Sequence, residues 1–236
     1  MARSFGIVEE KLREADFFLN QLCRSNNLSF EARCFFSAFV SAARSVTLTM
    51  QASLKGVRDF DQWYDEIRGQ LKTDRLAPHF VEIRNDIVHI GINPLNQVTL
   101  EHLQEHLSRQ LRQRDRAHIL VLPDPNREGA SVLVAATQAC TEYFTSLVSV
   151  TFECYQRFLT VVDPKWYFTT ENFQAMGRTF EDAVVELGFP PEWASCVPME
   201  SGAWKALRLQ QPPCQINDIF RKYLDRTIPD PDDLEP

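Results

Sequence analysis

Residues 84–89 read Arg-Asn-Asp-Ile-Val-His, an arginine followed at once by an asparagine and, five positions on, by a histidine. These side chains suit phosphoryl transfer. Histidine has a reference pKa near ~6.5, so His89 can take up or give back a proton near neutrality. Arg84 supplies a fixed positive charge and a planar fork of donors to phosphorane oxygens. The Asn85 amide can orient His89 or bind the phosphate. A substrate with an internal nucleophile, such as a 2′-OH beside a phosphodiester, would need no metal here.

The bare spacing carries little information. With 19 Arg and 5 His in 236 residues, about 1.2 Arg-x(4–6)-His pairs arise by chance, and Arg112 to His118 is a second one. Requiring Asn directly after the Arg lowers the chance expectation to roughly 0.05. Asp86 lies inside the motif, as a substrate-binding candidate or a partner for the histidine. Ser37, Ser41 and Arg44 form a polar line on an otherwise apolar helix. Ser41 and Arg44 are candidates for binding phosphate beside Arg84, although small serines also allow close helix packing. His102, Glu105 and His106 spell H-x-x-E-H, a zinc-protease spacing without a marked third ligand. An exposed helix face explains them better. Arg109, Arg112 and Arg116 follow at helical spacing, flanking an RNA path or facing solvent.

Composition removes other chemistries. The eight glycines stand at least 11 positions apart, so a Walker loop, a dinucleotide fingerprint and a nucleophile elbow are all excluded. No Cys-x-x-Cys occurs, which rules out a zinc ribbon or a thioredoxin motif. The six cysteines are expected to be buried, reduced thiols in a cytoplasmic protein without a signal peptide. No metal or cofactor is implied. The net charge is −7, distributed as +1 over residues 1–118 and −8 over 119–236. A broad polyanion-coating surface is therefore excluded, and a local anion site belongs in the first half. The most apolar stretch, 132–152, is too polar for a membrane span.

Helical periodicity must position the motif. Phe5, Val8, Leu12, Ala15, Leu19 and Leu22 mark a first helix with Ser4 as its N-cap. Ala32, Phe36, Phe39, Ala43, Val46 and Met50 mark a second, starting near Ser29. Asp59 and Gln62 spell a capping box ahead of Phe60, Trp63, Tyr64, Ile67 and Leu71. A fourth helix is expected over 74–90, with Leu76, Phe80, Ile83, Ile87 and Ile90 inward. With Arg84 at zero on an ideal wheel, that stripe falls at about 240–320°, and Asn85 and His89 at about 100° and 140°. Ala77, Val81 and Val88 make a smaller apolar strip at about 20–60°. A two-fold contact through Val81 and Val88 would cover the polar pair and make a homodimer with a composite site.

Residues 92–130 read as an insert with a leucine-striped helix from Leu100 to Leu111 and a short strand followed by a turn. Residues 131–163 read as a long core helix stopped by Pro164. Beyond it, 164–236 read as a mostly helical extension: a helix at 170–187, a Pro/Trp-rich connector, a short helix at 215–226 and a frayed acidic tail from Pro229. Trp166, Tyr167, Phe168, Trp193 and Trp204 are expected to pack this extension. The fold class is all-α, with domains 1–163 and 164–236.

Arg-Asn-x-x-x-His, late in a helical bundle, resembles the HEPN superfamily. That resemblance covers residues 1–90 best and 131–163 in part. It implies a HEPN-like bundle and a metal-independent endoribonuclease of a toxin or defence type, cleaving RNA through its 2′-OH with Arg84, Asn85 and His89. It also implies RNA as substrate, a homodimer and an antitoxin or defence-system protein as a possible partner. Gly91 stands where some HEPN toxins carry a modified tyrosine, so that silencing mode is not implied. The alternative within the superfamily is a non-catalytic module that dimerises and binds a protein or nucleotide partner.

Overall fold

The computed structural model describes residues 5–26, 29–97, 118–124, 126–127, 129–196, 200–211 and 216–234. It is predominantly α-helical, with a single two-stranded sheet among the described residues. The chain divides into two compact units, 7–148 and 149–236, the latter with residues 1–6.

In the first unit α1 (Gly6–Arg24), α2 (Phe30–Leu54), α3 (Phe60–Thr73) and α4 (Ala77–Asn85) follow one another through short turns. The 3–4 spacing of apolar residues translates directly into burial. Val8, Leu12, Ala15, Leu19 and Leu22 of α1 are buried, as is the whole α2 stripe from Ala32 to Met50. Such burial supplies most helical stability in proteins. Ser29 caps α2 by accepting a hydrogen bond from the Ala32 amide at 3.1 Å. Ser4 lies outside the described residues.

The capping box at Asp59 does not form. Asp59 has φ +62°, in the left-handed region, and makes no side-chain cap. A capping side chain reaches the N3 amide from an extended backbone, and this conformation turns it away. Phe60, Trp63, Tyr64 and Ile67 are buried nevertheless, so packing rather than the cap holds α3.

The short strand expected before residue 130 is present, and it is residues 131–135 that depart from expectation. Ile119–Pro123 (β1) pairs antiparallel with Ser131–Ala135 (β2), Leu120 facing Val134. The long helix, α5, therefore begins at Ala136 rather than 131, and runs to Val162 with a non-helical Phe158 inside it. Ser131-Val-Leu-Val-Ala is a short apolar run, which periodicity alone cannot assign to strand or helix. The division between the two units falls within α5. Phe39 sits between Phe80 and Phe144, with ring centroids at 6.3 and 6.2 Å, and Phe80 stacks on Tyr143 at 4.4 Å.

His118 precedes β1 and is buried. Its Nε2 lies 3.1 Å from the Leu22 carbonyl and 3.2 Å from Ser25 Oγ, while Nδ1 faces the Asn96 amide at 3.4 Å. These partners assign the Nε2–H tautomer. The histidine of the second chance motif is thus a structural tie.

The second unit has its own core. Tyr167, Phe168, Phe173, Ala183, Val184, Trp204 and Leu207 cluster together. Trp166 donates to the Pro229 carbonyl, and Trp193, half exposed, stacks on Phe189. Pro164 does not simply end a helix. Asp163 accepts from the Lys165 and Trp166 amides and caps α6 (Pro164–Tyr167). The helix expected over 170–187 is two, α7 (Thr170–Ala175) and α8 (Phe180–Glu186), separated at Gly177 with φ +68°. Part of the connector is helical as α9 (Glu200–Arg208), ahead of α10 (Asn217–Leu224).

The acidic tail is not frayed over its described residues, 229–234. Asp230 pairs with Lys165, and Asp232 pairs with the fully buried Arg208 at 2.7 Å. Two of the acids that suggested a solvated end are counter-ions instead.

The cysteines follow expectation only in part. Cys140 and Cys154 are buried, and desolvation pushes both thiols well above the ordinary range. Cys23 and Cys34 are exposed instead.

Candidate functional site

The site is built on α4 and the turn that follows. Asp74 Oδ1 accepts from the Leu76 and Ala77 amides at 2.8 and 2.7 Å, fixing where the helix starts. Pro78 fits its first turn. Arg75 pairs with Glu142, tying this end to α5. Leu76, Ala77, Phe80 and Ile83 are buried, and α4 packs on α2 and α3.

At Asp86 the helix widens without breaking. Residues Asp86–Ile90 form a π-helical turn, closed by the Gly91 amide donating to the Asp86 carbonyl. Gly91 has φ +79°, and nothing lies within 4 Å of a Cβ added there. Its requirement is conformational, not spatial. The expected α-helix over 74–90 is thus corrected at both ends, and its inward stripe stops at Ile83. Ile87 is only half-buried, and Ile90 is 65% exposed.

The π turn is what assembles the motif. On an α-helix, residues five apart diverge by about 140°. A π turn hydrogen-bonds i to i+5 and so brings positions five apart onto one side. Arg84 Nη1 accordingly lies 3.4 Å from His89 Nε2 and 3.3 Å from Asn85 Oδ1. Arginine only donates, so His89 Nε2 is the acceptor and carries no proton in this arrangement. Arg84 is half-buried, whereas Asn85, Asp86 and His89 are exposed. The result is a guanidinium, an amide and an imidazole gathered at the surface.

Beyond the turn, Asn93 donates to the Arg33 carbonyl at 2.9 Å and accepts from the Leu95 amide. It anchors the chain leaving the π turn to the start of α2. A hollow of about 540 Å³ opens beside the turn, lined by Arg33, Ser37, Ser41, Ile87, Gly91 and Asn93 among others. Ser41 shares this hollow with Ile87 of the motif, whereas Arg84, Asn85 and His89 are not among its lining residues. The family described as bacteriophage lambda protein ea47 matches residues 7–150.

The chain belongs to the ea47 family.

The matched segment is nearly coextensive with the first unit and contains the Arg84–His89 pair. No curated protein and no solved structure matches the chain. In this ea47-family bundle the remaining candidates are dispersed. Arg44 does not join Ser41 in the hollow. Its Nη1 donates to Thr47 Oγ1 at 2.7 Å, and it lines a different groove, together with Val81. Val88 is 49% exposed beside Ile90 and Ile92, whereas Ala77 is buried and Val81 half-buried. The apolar strip read off the helical wheel is therefore divided between core, groove and surface. The π turn shifts the residues after Asn85 off the wheel.

His102, Glu105, His106, Arg109, Arg112 and Arg116 lie outside the described residues. Among the described residues no group of His, Cys, Asp or Glu is placed to hold a metal ion. Among them, too, no helix is long and apolar enough to cross a membrane. Sequence reasoning missed the device that makes the site, the π turn. Its one local signal was Gly91 directly after Ile90.

Proposed function

We propose that this ea47-family protein is a HEPN-type, metal-independent endoribonuclease acting in the cytoplasm as a toxin or defence effector. The observation that carries the reading is the meeting of Arg84 and His89 across the π turn, 3.4 Å apart, at an exposed surface. His89 Nε2 takes the 2′-OH proton as the oxygen attacks the adjacent phosphorus. Arg84 then turns its donors to the phosphorane oxygens, where negative charge develops. Asn85 holds the guanidinium on the reacting side. The 5′-oxygen departs as its P–O bond breaks and takes a proton from water, leaving a 2′,3′-cyclic phosphate, and His89 returns its proton to solvent. The hollow lined by Arg33, Ser37, Ser41 and Asn93 offers donors to the strand on one side of the cut. A family named for a bacteriophage protein supports the toxin or defence setting. An antitoxin or defence-system protein is the expected partner.

Expression of the wild type beside His89→Ala tests this reading. The wild type degrades cellular RNA and arrests growth, and His89→Ala does neither at equal protein level. Intact RNA in both cultures, with soluble protein, would remove the proposal.

The homodimer is part of the same reading. Val88, Ile90 and Ile92 are exposed apolar residues flanking His89, and a two-fold contact through them would place two Arg84–His89 pairs around one phosphate. Val88→Glu is expected to give a monomer by light scattering and to lose cleavage. Gln70→Glu, on the exposed face of α3, is expected to change neither. A fully active Val88→Glu monomer would reject the composite site.

A further inference from the structure

A groove of about 550 Å³ lies among α2, α3, α4 and α5 in the first unit, and the chemistry at Arg84 and His89 does not use it. Its volume is that of a small-molecule site. One wall is apolar, formed by Leu48, Leu71, Ala77, Pro78, Val81 and Leu147. The polar residues on its lining include Arg44, Arg68, Lys72 and Glu82, a formal balance of 3 − 1 = +2.

Two of the three cations have no carboxylate at ion-pair distance among the described residues. Half-buried Arg44 has its Nη1 on Thr47 Oγ1 at 2.7 Å, and no carboxylate of the described residues lies within ion-pair distance of it. The same holds for Lys72. Arg68 is partnered by Asp65 at 3.0 Å on its own helix, in an exposed pair worth little. Glu82, the one carboxylate among the described lining residues, is 3.8 Å from His79 Nδ1.

The floor is rigid. Tyr64 OH donates to the Thr47 carbonyl at 2.9 Å, and the Tyr143 ring stacks on Phe80. Burial pushes the Tyr143 hydroxyl up to about 12, with Arg44 drawing it down only in part. Both phenols therefore stay neutral and offer no charge to Arg44. A half-buried guanidinium without a carboxylate at ion-pair distance is stabilised by an anion from outside.

We propose that this groove binds a small phosphate monoester, its dianionic head on Arg44 and Lys72 and its apolar or aromatic body along the Leu48–Leu71–Val81 wall. The two cations without an ion-pair partner, Arg44 and Lys72, match the charge of a dianion, and the apolar lining residues exceed what a bare ion requires. This site does not depend on the ribonuclease reading, and binding rather than cleavage is its readout.

Calorimetry on the full chain tests it with phenyl phosphate, inorganic phosphate and octanoate as probes. Phenyl phosphate is expected to bind at least tenfold more tightly than either of the others. Arg44→Gln, which keeps a donor for Thr47, and Lys72→Gln are each expected to weaken it tenfold or more, with melting temperature unchanged. Equal binding of inorganic phosphate would show that the wall contributes nothing and overturn the proposal. So would tighter binding of octanoate, or undiminished binding by Arg44→Gln. Should Arg44→Gln fail to fold, the exposed Lys72→Gln decides alone.

Discussion

Arg84→Ala is expected, on the proposed ribonuclease reading, to lower the rate of RNA cleavage by about 100- to 1000-fold, the effect of removing a donor aimed at developing charge. The loss exceeds that of a remote phosphate contact because Arg84 does two things. Its Nη1 faces both Asn85 Oδ1 and His89 Nε2, so truncation also frees the imidazole proposed to take the proton. Arg84→Lys keeps the charge but not the fork, and recovers only part of the rate. Single-turnover kinetics on a short oligoribonucleotide, with far-UV circular dichroism to show an intact helical fold, measures both. A rate for Arg84→Ala within about threefold of the wild type would contradict the role.

Asp232→Ala destabilises the second unit by about 3–5 kcal/mol, the usual cost of stripping one partner from a buried ion pair. Arg208 is 0% exposed and the Asp232 side chain 12%, with Nε and Nη2 at 2.8 and 2.7 Å from Oδ1. Losing the carboxylate removes the acceptor of the Nε and Nη2 hydrogen bonds from a guanidinium that is shut off from solvent. The double variant Arg208→Met with Asp232→Leu recovers most of the loss, since an apolar pair carries no desolvation cost. Trp166, Trp193 and Trp204 all lie in this unit and Trp63 in the other, so tryptophan fluorescence in urea reads mainly the unit concerned. A change below about 1 kcal/mol for Asp232→Ala would mean the pair behaves as a surface bridge.

How much of this was legible in the sequence follows from the range of the interactions. The α1 and α2 stripes were legible because burial on one helix face repeats locally, and every residue named on them is buried. Arg84, Asn85 and His89 were legible as types and as a spacing. Their geometry was not, because Ile87 and Ile90 continue the α-period and mask the π turn, so an ideal wheel set Arg84 and His89 far apart. β2 was lost because Ser131–Ala135 runs apolar into an apolar helix, and its pairing with β1 is non-local. Asp59-x-x-Gln62 matched a cap in letters, but the left-handed Asp59 cannot use it. The ordered tail depended on Arg208 and Lys165, distant partners that no local composition reveals. The groove at Arg44 was half legible: the arginine stood out on its helix, but its isolation from carboxylates emerges only from packing.

The central claim is that Arg84 and His89 cleave RNA through its own 2′-OH without a metal. Its most direct measurement is cleavage of one oligoribonucleotide and its fully 2′-O-methylated counterpart by purified wild type in excess EDTA, with the product ends identified by mass. The account predicts undiminished cleavage of the ribonucleotide to 2′,3′-cyclic phosphate ends, and no cleavage of the methylated strand. Cleavage of both strands, or activity abolished by EDTA and restored by a divalent cation, would contradict it.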